Sequence, residues 1–480
     1  MSNSVMNTQG RVVESLPFSK KIIYALGQLG WSLASYGAAN FLNYFYLPPQ
    51  EGGAALFPRM IHQGYIVGVL TVIGLILAFG RIWDAITDPL IAVFSDRNKS
   101  KIGRRRFFMA VSVLPFALFA VLVFVAPFGT GDQANITANG LWLFVTVTLF
   151  YLFMTMYVTP FFAWMSELGH SSNERLELST MISITWALGA MIGAQAPALQ
   201  GMFQAQGMSP LQAFQAAQGV FAVVSFILMV LPIIVIDENR YAESVPCDDG
   251  FFTSIGNVIK DRNFLRFTLS DFAYWISLYF INNGLMYYIT VLLGLPKETY
   301  SSLFIVMFLV SFAFYIPVNF IARAVGRKRL LMIAFVLFGV LFSFCALFGY
   351  LPLPVMTQAL IAALLAAIPL AIFGILPNAM ISDMAEAYAI ETGMYKAGVF
   401  FGFRTFMSKM GQSIGAVLLP SIVMIGAGSS GSGDVVGVAG VRLTTLFALA
   451  FCAIGFILLL LYNEKQVQAT LAKHQQNNKQ

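Results

Sequence analysis

Residues 80–89 read GRIWDAITDP and place three charged side chains in a segment that is otherwise mostly apolar from residue 63 to residue 95. About 20 mostly apolar residues are enough for a helix to cross a bilayer. A charge near the bilayer centre costs roughly 2.5–3.5 kcal/mol on insertion scales, so each one needs a partner or a use. This segment therefore predicts a membrane-spanning helix that carries functional charges.

The composition of the whole chain agrees with a membrane protein. The 480 residues are 58% hydrophobic and 10% charged, with a mean hydropathy of +0.76. A soluble domain has about 25% charged residues, because its surface faces water. Most of the surface must therefore face membrane lipids. The net charge of +6 is not gathered into one basic face, so no nucleic-acid partner is expected.

Twelve segments have the length and apolar character of a transmembrane helix. They are residues 22–48, 63–95, 106–128, 140–167, 180–200, 212–236, 264–295, 301–322, 329–350, 354–382, 397–427 and 440–462. The sequence thus predicts an all-α polytopic membrane protein with twelve transmembrane helices in two six-helix bundles. The longest polar interior stretch divides the spans six and six. It predicts an N-terminal bundle at 1–236, a cytoplasmic linker at 237–263 and a C-terminal bundle at 264–480.

The distribution of basic residues predicts the orientation. With both termini cytoplasmic, 22 of the 28 Lys and Arg residues fall on the inner side and three in outer loops. Such an asymmetry is typical of the positive-inside rule. Gly103 and Gly326, in equivalent inner loops, are each followed by three basic residues, which is what a duplicated six-helix unit would leave. We expect a multi-pass protein of a bacterial inner membrane.

The second predicted span carries a carboxylate pair. At about 100° per residue, Arg81, Asp84 and Asp88 share one helical face, and Thr87 lies beside them. Two carboxylates one turn apart repel each other, which favours protonation or a bound cation such as Na⁺ or H⁺. The alternative is structural: Asp84 pairs with Arg81, while Asp88 caps or bonds near the inner surface next to Pro89.

Three other spans hold polar side chains. In the fourth span, Thr155 precedes Pro160, which frees a backbone carbonyl, so nearby hydroxyls can complete an oxygen cage or serve as packing contacts. Lys409 in the eleventh span is either a substrate or coupling contact or the partner of an acid. Asp271 and Asn283 in the seventh span either line a solute cavity or bond between helices.

A second group of acids lies at the inner ends of predicted spans. Asp383, Glu386 and Glu391 follow the tenth span, and Glu167 ends the fourth. We expect them to form an inner-surface network with the basic loops, or with Arg404 and Lys396, and the alternative is that they are solvated charges.

These residues resemble those of a known family. Residues 80–89, followed by SDR at 95–97 and GRRR at 103–106, closely resemble the glycoside–pentoside–hexuronide:cation symporters. These form the melibiose-carrier-like branch of the major facilitator superfamily. The resemblance extends over nearly the whole chain. It implies the major facilitator fold and cation-coupled symport of a sugar or glycoside-like solute by alternating access. The alternative cargo is a non-sugar amphiphile such as a lysolipid.

The resemblance also implies a cation site. Asp84 and Asp88 match the cation-binding carboxylates of the family. Thr87 stands where the melibiose carrier has an asparagine ligand, and Thr155 matches its hydroxyl ligand. Carboxylate and hydroxyl oxygens suit a hard cation such as Na⁺, and H⁺ is the alternative coupling ion.

Roles for the solute follow in the same way. Arg81 and Lys409 match functional basic residues of the family. Ser32 and Phe162 stand where the melibiose carrier has a sugar-binding aspartate and a tryptophan. The residues that recognise galactosides in that carrier are therefore replaced here. Trp31 is a further aromatic candidate for stacking on a sugar ring.

Other functional classes find no support in the sequence. No Lys directly follows a Gly, so the P-loop element is missing, and the zinc-protease pattern HExxH is missing as well. We therefore expect no enzyme activity and no cofactor beyond the coupling ion. The expected partner is a small-molecule solute, and the expected state is a monomer.

Overall fold

The structure is a computed structural model that describes residues 5–6, 12–51, 54–67, 70–170, 172–242, 261–392, 397–427 and 436–477. The chain forms two compact units, Met1–Cys247 and Asp248–Gln480. Most of the predicted linker at 237–263 lies outside the described residues, because they stop at 242 and resume at 261. The predicted domain boundaries therefore stay a prediction.

The first unit is built from helices. They are α1 Phe18–Asn40, α2 Leu42–Tyr46, α3 Val72–Arg97, α4 Arg104–Leu122, α5 Ile136–Leu168, α6 Ser172–Gly193, α7 Ala196–Ala205, α8 Pro210–Val235 and α9 Glu238–Tyr241. Short antiparallel strand pairs accompany them: β1 Val5–Met6 with β2 Val12–Val13, β3 Gln50–Glu51 with β4 Ala54–Ala55, and β5 Tyr65–Val67 with β6 Leu70–Thr71.

The second unit is also helical. Its helices are α10 Arg262–Tyr287, α11 Glu298–Val325, α12 Arg327–Ala346, α13 Val355–Thr392, α14 Ala397–Val423, α15 Val438–Leu460 and α16 Glu464–Asn477. After α10 the chain continues as a π-helical turn at Tyr288–Leu292.

The long helices pack in the same order in both units. In the first, α1 packs on α6 and α8, α5 packs on α3 and α4, and α4 also packs on α8. In the second, α10 packs on α14 and α15, α13 packs on α11 and α12, and α12 also packs on α15. Helix by helix these are the same pairs, which is the pattern that a duplicated six-helix unit predicts.

The two glycines of the inner loops occupy equivalent places. Gly103 precedes α4 with φ of 113° and Gly326 precedes α12 with φ of 97°, a region that favours glycine. Glu238, after α8, accepts hydrogen bonds from the backbone N–H groups of residues 104–106 at 2.8–3.1 Å. Glu464, after α15, accepts one from the backbone N–H of Lys328 at 3.2 Å. The sequence echo is thus a structural repeat.

All twelve predicted spans contain a helix, although several helix ends differ from the predicted bounds. The second span begins at Val72 rather than near residue 63, because Thr71 caps α3 by accepting the N–H of Gly74. The tenth span continues to Thr392, so Asp383 lies within α13 and not in a loop after it.

Hydropathy separates two kinds of span. Among the described residues, eight helices are long and apolar enough to cross a membrane on composition alone. The other long helices do not meet the same limits on hydropathy and charge: α1, α3, α10 and α14. Three of these four carry predicted in-span ionisable residues, Asp84 and Asp88 on α3, Asp271 on α10, and Lys409 on α14.

Candidate cation and solute site

A close contact between α3 and α5 positions the carboxylate pair. A Cβ atom at Gly80 would lie 2.7 Å from the ring of Tyr151 and 2.9 Å from the side chain of Val147. Only glycine therefore lets the two helices approach this closely. One turn further along α3, this close approach brings polar side chains of the two helices within hydrogen-bond distance.

Two threonines of α5 bind the two carboxylates of α3. Thr155 Oγ1 donates to Asp84 Oδ1 at 2.7 Å, and Thr159 Oγ1 donates to Asp88 Oδ1 at 3.3 Å. The two residues of each pair are 71 positions apart in the sequence. Helices α3 and α5 therefore run in the same direction and stay in register for a full turn. Asp84 and Thr155 are each 1% exposed, whereas Asp88 is half-buried.

Thr87 adds a third oxygen to this cluster. Its Oγ1 lies 3.5 Å from Thr155 Oγ1 and donates to the carbonyl of Trp83 at 3.0 Å. Asp84, Thr87 and Thr155 thus bring carboxylate and hydroxyl oxygens together in a buried place. Hard monovalent and divalent cations prefer such oxygen ligands. Among the described residues no group of three His, Cys, Asp or Glu side chains forms a metal site, so hydroxyls would have to complete the ligand set.

Arg81 lies one turn before Asp84 on the same helix. Its guanidinium stands over the ring of Tyr151, 5.2 Å from the centroid. A cation over a tyrosine face is stabilised by the ring quadrupole. This contact holds a positive charge on the helical face that also carries the carboxylate pair. The predicted roles of Arg81 and of the cation ligands stay predictions.

The predicted solute residues of the first unit form two groups. The rings of Trp31 and Phe162 meet edge to face with centroids 6.1 Å apart, and Phe162 is 40% exposed. Ser32 is buried, and its hydroxyl donates to the carbonyl of Trp186 at 2.7 Å. The aromatic pair thus presents an accessible ring, while the hydroxyl of Ser32 already serves the α1–α6 contact.

In the second unit Asp271 forms an ion pair that we did not predict. Arg404 binds it with two prongs, Nε to Oδ2 at 2.9 Å and Nη2 to Oδ1 at 3.1 Å. The sequence predicts Arg404 as a partner of the inner-end acids, and the structure pairs it with Asp271 instead. The sequence does show two opposite charges within spans, Asp271 and Arg404, which could have suggested an ion pair. Whether they meet depends on the packing of α10 against α14. Asn283 is buried on α10, and Lys409 is half-buried on α14.

Two of the four inner-end acids, Glu167 and Asp383, pair with the basic loops, as expected. Glu167 Oε1 accepts from Nη2 of Arg104 at 2.7 Å and from Nη2 of Arg105 at 2.8 Å. Arg105 also pairs with Asp96. In the second unit, Asp383 pairs with Arg327 at the start of α12.

The other two acids of this group lie near the end of α13, and Lys396, a predicted partner, lies outside the described residues. Glu391 accepts from Thr470 at 3.0 Å, and Glu386 is exposed. Burial raises the pKa of Glu238, although its backbone hydrogen bonds act in the opposite direction.

The chain is similar in sequence to known proteins. A family described as MFS/sugar transport protein matches residues 23–463. The isoprimeverose transporter of Lactiplantibacillus pentosus is 21% identical over 86% of this chain and 81% of its own length. The sodium-dependent lysophosphatidylcholine symporter 1 of Xenopus tropicalis is 20% identical over 83% and 78%.

Two further likenesses concern a shorter region and the fold. The uncharacterized symporter sll1374 of Synechocystis is 30% identical over 36% of this chain, which spans only 29% of that relative. The crystal structure of nucleoside transporter NupG aligns with 93% of this chain over 99% of its own length, with a TM-score of 0.64 at 12% identity. That likeness shows the fold, which is the major facilitator fold with twelve transmembrane helices. The family match extends over almost the whole chain, so this protein belongs to the MFS/sugar transport protein family.

Proposed function

We propose that the protein is a secondary active transporter that couples the entry of a cation, Na⁺ or H⁺, to that of a sugar or glycoside-like solute. The observation that carries this proposal is the buried carboxylate of Asp84, held by Thr155 within a membrane span. A charge there is costly unless it is neutralised. A bound cation neutralises it and so becomes a condition for the loaded state.

The energetics of such coupling are sufficient. One positive charge that moves down a membrane potential releases about 2.3 kcal/mol per 100 mV. Transport of one neutral solute with it would allow more than tenfold accumulation. Alternating access lets the solute and the cation reach either side of the membrane in turn. In this proposal the chain has no enzyme activity, and its partners are the solute and the membrane lipids.

The test uses purified protein in vesicles. Isoprimeverose is the first solute, because a relative over most of the chain is named for it. We expect Asp84→Asn and Asp88→Asn to abolish uptake against a gradient. Asp132→Asn, in an exposed 3₁₀ turn after α4, is the matched control and should keep it. Undiminished uphill uptake in both α3 variants would reject the mechanism.

A second cargo has specific support. The lysophosphatidylcholine symporter is similar over most of the chain. Counterflow of isoprimeverose and of lysophosphatidylcholine, each with and without Na⁺, separates the two candidates and identifies the coupling ion. Stimulation of lysophosphatidylcholine counterflow alone would move the assignment to the amphiphile.

A further inference from the structure

The ion pair of Asp271 and Arg404 belongs to a larger polar cluster in the second unit. Trp275 Nε1 donates to Asp271 Oδ2 at 3.1 Å. Nη1 of Arg404 donates to Asn378 Oδ1 at 2.6 Å. Side chains from three helices, α10, α13 and α14, thus converge on one place. The side chains of Asp271 and Arg404 are only 3% and 12% exposed, whereas Asn378 is exposed.

The location of this cluster indicates that it faces water. Ionisable side chains within spans almost always face the bundle interior or a water-filled cavity, because lipid cannot solvate them. Asn378 carries the exposed edge of the cluster, and its amide is a poor group to leave in hydrocarbon. The exposed edge of the cluster is therefore accessible to a water-soluble molecule.

The internal repeat shows that the fold does not require this ion pair. Gly411 and Gly415 of α14 lie against Trp275 and Tyr279 of α10, where a Cβ atom added to each glycine would lie 3.2 and 2.7 Å from the Cβ atom of the facing residue. In the first unit the same contacts recur, and the corresponding distances from an added Cβ atom are 2.8 and 2.6 Å. They join Gly189 with Ser32 and Gly193 with Tyr36.

The contacts of these glycines set the correspondence between the two units. The offset between equivalent positions is 222 residues for α6 and α14 and 243 residues for α1 and α10. By these offsets Asp271 corresponds to Gln28, and Arg404 corresponds to Ile182. At these two positions the first unit makes the same helix contact without charges, although Lys21 of α1 pairs with Glu177 of α6 elsewhere along it. A buried ion pair is also weak evidence for stability, since hydrophobic replacements are often as stable. The pair in the second unit therefore calls for a functional explanation.

The chemistry of the cluster matches hydroxyl groups. A guanidinium has five N–H donors, and three of those of Arg404 are used by Asp271 and Asn378. Asp271 offers carboxylate oxygens, and the amide of Asn378 offers two further donors. The cluster is neutral overall and presents donors beside acceptors. Neighbouring hydroxyls of a sugar, each both a donor and an acceptor, fit such a set better than an anion does.

We propose that Asp271 and Arg404, together with Asn378 and Trp275, form a solute-binding subsite for neighbouring hydroxyl groups of a neutral sugar-like solute. This proposal rests on the proposed symport function. One hydroxyl donates to Asp271 while its neighbour accepts from Arg404. The half-buried indole of Trp275 orients the carboxylate.

The test measures isoprimeverose counterflow in vesicles and ²²Na⁺ binding to the same purified variants. The double variant Asp271→Asn with Arg404→Gln removes both charges and leaves no unpaired charge that could prevent folding. We expect at least a tenfold higher half-saturation concentration for isoprimeverose in this variant and in Arg404→Lys. ²²Na⁺ affinity should change less than twofold. Ser270→Ala, the neighbouring residue that bonds to the carbonyl of Gly455, is the control and should match the wild type.

Deoxy analogues of isoprimeverose test direct contact. At least one analogue should bind the wild type about tenfold more weakly than the parent, yet bind the double variant within twofold of it. A half-saturation concentration in the double variant within twofold of wild type would overturn the subsite. The subsite would also be overturned if every deoxy analogue lost the same affinity relative to isoprimeverose in the wild type and in the double variant. Isoprimeverose counterflow that depends on neither Na⁺ nor pH would instead contradict the proposed symport, and it would not contradict the subsite.

Discussion

Thr155 places a hydroxyl 2.7 Å from a carboxylate that is almost completely buried. A hydrogen bond to a charged group is worth about 1.5–3 kcal/mol, more than one between neutral groups. The same oxygen retains a lone pair that can face a cation. At the scale of single residues, this contact between α3 and α5 links the charge of Asp84 to a second helix.

Replacement of Thr155 by valine should weaken cation binding. We expect Thr155→Val to raise the cation concentration for half-maximal transport about tenfold or more, because both the hydrogen bond and the oxygen ligand are lost. Thr155→Ser should stay close to wild type. The measurement is the Na⁺ or H⁺ dependence of uptake in vesicles.

The control for this substitution is Thr146→Val in the same helix. Thr146 is equally buried, but its hydroxyl donates to the carbonyl of Trp142 in its own helix at 2.8 Å. Its loss should leave the cation dependence unchanged. Equal effects of the two valine variants would show that Thr155 acts through packing alone.

At the scale of elements, the start of α4 depends on a residue that lies far away in sequence. A helix begins with N–H groups that have no partner within the helix. Gly103 has no side chain to cap them, and Glu238 does so from after α8. The basic residues that follow Gly103 are thereby fixed, and two of them hold Glu167 at the end of α5.

Loss of this cap should destabilise the protein. We expect Glu238→Ala to cost about 1–2 kcal/mol, the upper part of the range for capping residues. For a unit of this size that corresponds to a melting temperature roughly 2–4 °C lower per kcal/mol. Thermal unfolding of the purified protein in detergent measures it.

Two variants calibrate this prediction. Glu464→Ala removes one backbone hydrogen bond in the second unit, so its effect should be smaller. Glu14→Ala removes a half-exposed ion pair with Arg240 and should change the melting temperature very little. A Glu238→Ala protein as stable as Glu14→Ala would refute the capping role.

At the scale of the whole molecule, the two units repeat the same packing order of helices and the same position of a basic loop. Each unit has its Gly-and-basic loop at the start of its third long helix, and each loop meets an acid that follows its sixth. Basic loops stay in the cytoplasm, so the repeat predicts both loops and both termini on the same side.

Reporter fusions test this orientation. In a bacterial expression host, alkaline phosphatase fused after Asp132, between α4 and α5, should be active, because that position is predicted to be outside. A fusion after Arg240 should be inactive, and green fluorescent protein fused to the C-terminus should fluoresce. The opposite pattern would invert the predicted topology.

The sequence alone determined the spans and the presence of in-span charges, because hydropathy over about 20 residues is a local property. It also placed Arg81, Asp84 and Asp88 on one helical face, since helical periodicity is local as well.

Only the tertiary structure decided which side chains meet. Asp271 and Arg404 are 133 residues apart, and Glu238 and Arg104 are 134 apart. Periodicity tells which residues share a face of one helix, but not which other helix packs against that face. The partner of Arg404 and the cap of α4 therefore depend on helix packing, which no local pattern encodes.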